Sequence, residues 1–295
     1  MAKRETIVQE LAGGKGPGQL VVVATPLGNL GDISRRALAL LENADVIYCE
    51  DTRHSNKLFS ANGITVRSRL ESLHEHNEAS QCDAIVARVV AGQTVVLISD
   101  AGTPGISDPG ARVVAAVAGA GQVVTTAPGP SAVIAALSVS GLDTERFVME
   151  GFVARKRGER DQRYALWASE TRTIVFYESP QRLARTLAEL AEHFPTRRAV
   201  VARELTKLHE EVVRGTLDEL SRTFSSREVL GEIVVVLEGA QAPFVLDEAT
   251  LRGAIADQLA HGASVRDAVS TVTDELGSSR REAYRIALEL QAERG

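Results

Sequence analysis

The residues best suited to chemistry lie in Ser99-Asp100-Ala101-Gly102-Thr103-Pro104-Gly105-Ile106-Ser107-Asp108-Pro109-Gly110, directly after the apolar run Val95 to Ile98. Glycine and proline fix an irregular backbone here, whose N–H and C=O groups can face a ligand closely. The stretch carries two carboxylates and has no Lys or Arg before Arg112. A phosphate cradle wants positive charge, whereas ribose hydroxyls and a cationic ammonium or sulfonium want carboxylates and carbonyls. S-Adenosylmethionine has that chemistry. A structural turn ending in a helix cap is the plainer alternative.

Other polar clusters also follow short apolar runs. After Leu20 to Ala24 comes Thr25-Pro26-Leu27-Gly28-Asn29, and Asp32 or Ser34 can cap the helix beyond it. Thr25 and Asn29 are expected to face the same crevice. After Val46 to Cys49 come Glu50-Asp51-Thr52-Arg53-His54, adjacent acids that are costly to place unless paired or bound to substrate. His74-Glu75-His76-Asn77-Glu78 offers polar substrate contacts but no third ligand for zinc. Ala127-Pro128-Gly129-Pro130-Ser131-Ala132 turns into a helix whose first N–H groups can meet a carboxylate. In the second half, Glu150-Gly151-Phe152, Tyr177-Glu178-Ser179-Pro180, Arg203-Glu204-Leu205-Thr206-Lys207 and Gly231-Glu232 occupy equivalent positions. The most basic stretch runs from Arg155, Lys156 and Arg157 through Arg160 to Arg163; it reads as a solvated helix face or as a set of phosphate contacts. There is no GxxxxGK[ST], GxGxxG, GxSxG, CxxC or HExxH motif, which removes P-loop enzymes, ordinary dehydrogenases, serine hydrolases and zincins.

These clusters need strands to present them. Apolar runs near Leu20, Val46, Val95 and Val123 are too short for helices and read as strands buried on both faces. Helical patterns at 34–43, 78–91 and 110–118 alternate with them, which predicts a parallel, doubly wound α/β domain over residues 19–130. A helix from Ser131 leads into a second α/β domain over 131–242. Its strands near Phe147, Thr173, Ala199, Glu211 and Ile233 predict a mixed sheet, with the Glu211 and Gly231 segments paired as antiparallel edges. Residues 1–18 read as a flexible tail and Pro243 as a boundary. Residues 247–295 read as a helical module resembling a helix-turn-helix, with Ser264 and Ser278 as N-caps and helices stopping at Gly262 and Gly277.

Composition sets the outer limits. The chain has 295 residues, which is more than one core usually holds, and only 4% are aromatic, so its cores rest on Val, Ala, Leu and Ile. A net charge of -6 disfavours broad nucleic-acid binding but leaves room for a local basic patch. Cys49 and Cys82 lack metal-ligand spacing and read as free thiols. With no membrane-length apolar run and no signal peptide at the start, a cytoplasmic location is expected.

Taken in order, ATPLGNLGDIS, EDTRHS, HEHNE, SDAGTPGISDPG, APGPSA, EGF, YESP, ARELTK and GEIVVVLEG resemble the ribosomal-RNA branch of the tetrapyrrole-methylase superfamily, the class III methyltransferases. The likeness spans residues 19–240 and extends in kind to the helical tail. It implies a two-domain tetrapyrrole-methylase fold with a small C-terminal helical module. The implied activity is S-adenosylmethionine-dependent 2'-O-methylation of a cytidine in the decoding region of 16S rRNA in the small ribosomal subunit, by a homodimer. Cofactor contacts would fall to Asp100, Gly102, Thr103, Ile106, Ser107, Ser131, Ala132, Tyr177 and Leu205. TPLGNLG and AGTP stand where tetrapyrrole-modifying relatives carry GxGxG and GDP, which favours the RNA branch.

Because a ribose hydroxyl is a weak nucleophile while protonated, a nearby acceptor is required, and Glu50, Asp51 and His76 are the candidates. Thr25, Asn29, Arg53, Asn77, Arg155, Lys156, Arg157 and Lys207 are expected to position the RNA. Two alternatives stay open from residues alone: a tetrapyrrole methyltransferase, and a nonenzymatic RNA-binding protein.

Overall fold

The computed structural model describes residues 18–294 apart from 67, 242–247 and 277. The proposed tail up to residue 17, the boundary at Pro243 and the helix stop at Gly277 lie outside the described residues. Contacts divide the chain into two compact units, Met1–Gly239 and Ala240–Gly295.

The first unit holds two five-stranded sheets. Strands β1 (Gln19–Val23), β2 (Val46–Cys49), β3 (Arg69–Ser72), β4 (Thr94–Leu97) and β5 (Val123–Ala127) form the first, in the order β3-β2-β4-β1-β5. Every pairing in it is parallel. Helices α1 (Arg35–Asn43) and α2 (Thr52–Ala61) supply Leu40, Leu41, Leu58 and Phe59 to one face of this sheet. Helices α3 (Glu78–Val90) and α4 (Ala111–Gly119) supply Ile85, Val89, Val113 and Val117 to the other. Burial on both faces is why β1, β2 and β4 read as unbroken apolar runs. Cys49 is buried in β2 and Cys82 half-buried on α3, and both are free thiols.

Helix α5 (Ala132–Ser140) follows, ending at Gly141 in the left-handed region (φ 74). The second sheet consists of β6 (Phe147–Phe152), β7 (Thr173–Glu178), β8 (Arg198–Arg203), β9 (Glu211–Thr216) and β10 (Ile233–Leu237), in the order β6-β7-β10-β8-β9. It is mixed: β6 runs parallel to β7, and the other pairs are antiparallel. The expected pairing of the Glu211 and Gly231 segments is therefore corrected, because β8 lies between them. The cause is burial. All five residues of β10 are buried and demand the centre, whereas β9 has no buried residue and takes an edge. Helices α6 (Arg157–Trp167), α7 (Pro180–His193) and α8 (Leu217–Ser225) pack Trp167, Leu187 and Phe224 on one face of this sheet. Helix α5 covers the other through Val133, Ala136 and Leu137.

The second unit contains α9 (Glu248–Ala260), α10 (Val265–Leu276) and α11 (Arg280–Arg294), closed around Leu251, Ile255, Val269, Val272, Ile286 and Ala287. Ser264 Oγ accepts from Asp267 N at 3.2 Å, the expected cap. Ser278 does not cap its helix. The residue ahead of Arg280 is Ser279, whose carbonyl accepts from Ala283 N.

Candidate active site

The loops that leave β1 and β4 are neighbours in the sheet, and they lock together at Thr25 and Gly102. Each backbone N–H donates to the other residue's carbonyl, at 2.9 and 3.0 Å, and Thr25 Oγ1 donates to Ser99 O at 3.0 Å. A side chain cannot replace this glycine cheaply: Gly102 has φ 82, and a Cβ would stand 3.3 Å from Leu27 Cδ2. Thr103 Oγ1 donates to Pro130 O at 3.1 Å, tying the β4 loop to the start of α5. Glu78, buried on α3, accepts from Gly110 N and Arg112 N at 3.0 and 2.9 Å and so holds the far end of the loop at the N-terminus of α4.

Two loops of the second sheet interlock in the same way. Glu204 Oε1 accepts from Glu232 N at 2.9 Å, Glu204 N donates to Glu232 O at 2.9 Å, and a Cβ on Gly231 would collide with the Glu204 side chain. Among the described residues, the non-glycine residues with positive φ are Ser107, Glu204 and Thr206, all in these loops. Backbone strain of this kind costs about 1–3 kcal/mol per residue and concentrates at functional sites.

Between these loops lies a cleft of about 410 Å³. Asp100, Ile106, Ser107, Ala132, Tyr177 and Leu205, six of the nine expected cofactor residues, line it. Gly102, Thr103 and Ser131 stand behind them and shape the loop and the start of α5. The lining also includes Asp108, Phe152, Glu178, Gly231 and Glu232, for which the sequence carried only cluster-level signals. Phe152 and Tyr177 meet with ring centroids 5.3 Å apart. Glu178 is not free for a ligand, since it accepts from Thr186 Oγ1 at 2.6 Å and pairs with Arg182 at 3.3 Å.

No Lys, Arg or His is among the lining residues. Burial, reinforced by Glu50, raises the Asp108 carboxyl to about 6. Burial and the nearby Asp100 raise Glu50 as well. Tyr177 is also pushed up, first by burial and then by Asp108. A bound cation would relieve this accumulation of negative charge.

The other expected site residues are placed differently. Glu50, Asp51 and His76 do not line the cleft. Asp51 N donates to Asp100 Oδ1 at 3.1 Å, so the backbone of Asp51 orients the cleft carboxylate. The side chain of Asp51 caps α2 and forks onto Arg53, whose hydrogen bonds hold its carboxyl down at about 2. His76 is exposed in a turn, with its ring 6.0 Å from that of His74. Asn77 Oδ1 accepts from His74 N and its Nδ2 donates to Ser72 O, while Asn29 Oδ1 accepts from Gly31 N; both amides hold their own turns.

Lys207 Nζ pairs with Glu204 and Glu232 at 2.9 and 3.0 Å. Of the basic stretch, Arg160 is buried against Glu189 in a bidentate pair and Arg163 is paired with Glu150; Arg155, Lys156 and Arg157 are exposed, with Lys156 and Arg157 in surface pairs with Glu159 and Asp161.

Residues 19–221 match the family model described as Tetrapyrrole (Corrin/Porphyrin) Methylases. The chain is 46% identical to a Mycobacterium tuberculosis protein over 94% of its own length and 97% of the relative's, and 42% identical to one from Synechocystis over 94% and 99%. Both are named ribosomal RNA small subunit methyltransferase I. Among solved structures, the methyltransferase CobJ superposes with TM-score 0.56 at 21% identity, covering 76% of this chain and 95% of that one. Uroporphyrin-III-C-methyltransferase from Thermus thermophilus superposes with TM-score 0.53 at 18% identity over 76% and 93%. At these identities the superpositions speak for the fold, and the curated relatives for the branch. The chain belongs to the tetrapyrrole methylase family and, within it, groups with the ribosomal RNA small subunit methyltransferases I.

Proposed function

We propose that the chain transfers a methyl group from S-adenosylmethionine to the 2'-hydroxyl of a cytidine in the decoding region of 16S rRNA, acting as a homodimer on the small ribosomal subunit. The observation that carries this reading is the cleft, in which Asp100 and Asp108 gather with no Lys, Arg or His in the lining, while Glu232 beside them is already paired with Lys207. That donor set fits a sulfonium and an ammonium with ribose hydroxyls, and it does not fit a polyphosphate. The names of the curated relatives support RNA as the acceptor.

When bound, S-adenosylmethionine supplies an electrophilic methyl group. Asp100 and Asp108 would face its positive charge, Ser107 would offer a hydroxyl, and Ala132, Leu205 and the Phe152–Tyr177 pair would keep water out. Asp100, oriented by Asp51 N, is the natural first acceptor for the ribose proton. Glu50, whose carboxyl burial and the nearby Asp100 push up, is the acid on which that proton can rest. Arg155, Lys156 and Arg157 face outward as phosphate contacts.

The homodimer reading rests on α5. Its sequence, AVIAALSVS, is apolar on almost every side, and Ile134 and Val139 on it are exposed although its opposite side is already packed on the second sheet. A second copy would cover that exposed face.

The decisive assay is transfer from labelled S-adenosylmethionine to undermethylated small ribosomal subunits, followed by mapping of the modified nucleotide. Label on a ribose 2'-oxygen of a cytidine in 16S rRNA is expected. Label on a base, or only on a tetrapyrrole, contradicts the proposal.

A further inference from the structure

A second hollow of about 490 Å³ adjoins the cleft and shares Leu27, Asp100, Ala101 and Glu232 with it. Its lining differs in charge. Asp100 and Glu232 are shared with the cleft, while His54 and Lys57 on α2 line this hollow and not the cleft. Both side chains are exposed, and among the described residues neither has an ion-pair partner. This contrasts with Lys207, which lines the same hollow with its ammonium already held by two carboxylates.

Pro26, Leu30 and Leu58 supply apolar lining to the same hollow; Pro26 and Leu58 are largely buried, and Leu30 is 46% exposed. A patch of this kind beside an ammonium without an ion-pair partner and an imidazole suits a planar base carrying a phosphate. The stem of Lys207 lies over Gly28, where a Cβ would stand 2.3 Å from Lys207 Cγ, so glycine lets this lysine form one wall of the hollow.

We infer that this second hollow is the subsite for the acceptor nucleotide of an RNA strand, with the base on Pro26, Leu30 and Leu58, the phosphate at Lys57 and His54, and the ribose toward Asp100. The inference rests on the RNA-methylation reading above. It adds a place for the acceptor on α2 that joins His54 of the EDTRHS cluster to Lys57 beyond it.

The test compares Lys57→Ala, Lys57→Arg and Ala61→Trp with the wild type. Ala61 lines the hollow and is exposed, so a tryptophan there fills the space without disturbing the core. Three quantities are read: calorimetric affinity for S-adenosylmethionine, and KM and kcat on undermethylated small subunits at several salt concentrations. Lys57→Ala should raise KM several-fold and reduce the salt dependence by about one phosphate contact, with Lys57→Arg restoring both. Ala61→Trp should lower kcat/KM more than tenfold while cofactor affinity stays within about twofold, on the scale of blocking one base contact. An unchanged KM in both Lys57→Ala and Ala61→Trp overturns the subsite. A wild type that methylates nothing on the subunits fails instead at the control, and removes the reading beneath it.

Discussion

Asp108 shares its surroundings with Glu50, Asp100 and Glu232, and burial together with these like charges lifts its carboxyl to about 6. In the free protein the folded state holds this proton more tightly than the unfolded chain does. The stability from that proton is fully present below the ordinary value of 3.8 and is lost as pH rises through about 6. Cofactor binding should show the opposite trend, because a cation prefers the ionised carboxylate. Affinity for S-adenosylmethionine should rise with pH, by at most about tenfold per unit, and level off above about 6. Titration calorimetry from pH 5 to 8 on wild type and Asp108→Asn checks this; the variant should lose the slope. A slope that persists in Asp108→Asn would assign the titration to another group. Asp51, held at about 2 by Arg53, contributes in the other direction: its stabilisation is present above 3.8 and lost as pH falls through about 2.

At the level of elements, the β4 loop is positioned by Glu78, a member of the HEHNE cluster whose capping role no local pattern reveals. Glu78 reaches across from α3 to cap α4, and Glu78→Ala would leave two backbone donors without their acceptor. A loss of about 1–3 kcal/mol is expected, visible as a lower melting temperature together with weaker cofactor binding. Gly110, with φ 137 and a would-be Cβ 2.8 Å from Leu97 Cδ2, should tolerate alanine poorly, at a similar cost by thermal unfolding.

The strands buried on both faces were legible as apolar runs, and the loops after them as polar clusters, because burial and turn chemistry act over a few residues. Strand β3, Arg69–Ser72, was not legible: it is short, polar and at an edge, with no buried residue. The place of β10 at the centre was equally hidden, since pairing order is decided across the sheet. Residues of the β4 loop could be assigned to a crevice from sequence, whereas residue type alone does not tell that Asn29 and Asn77 serve their own turns, through partners two and three residues away. Lys207 is committed to Glu204 nearby and also to Glu232, 25 positions away, a partner that only folding brings close. The same holds for Arg160, whose buried pairing with Glu189 spans 29 positions.

For the whole molecule, two expectations concern assembly. Ile134→Asp on the exposed face of α5 should convert a dimer to a monomer in sedimentation velocity; an unchanged sedimentation coefficient would place the interface elsewhere. A chain ending after residue 241 should keep its affinity for S-adenosylmethionine within about twofold, because every residue lining the cleft falls before Gly239.

If the acid-lined cleft holds the cofactor, binding must depend on Ala132, which lines it at the start of α5. Calorimetry with S-adenosylmethionine on wild type and Ala132→Trp tests it most directly. One equivalent should bind the wild type, and binding should vanish in the variant while its melting temperature is kept. Undiminished binding by Ala132→Trp, or none by the wild type, would mean that the cleft is not the cofactor site.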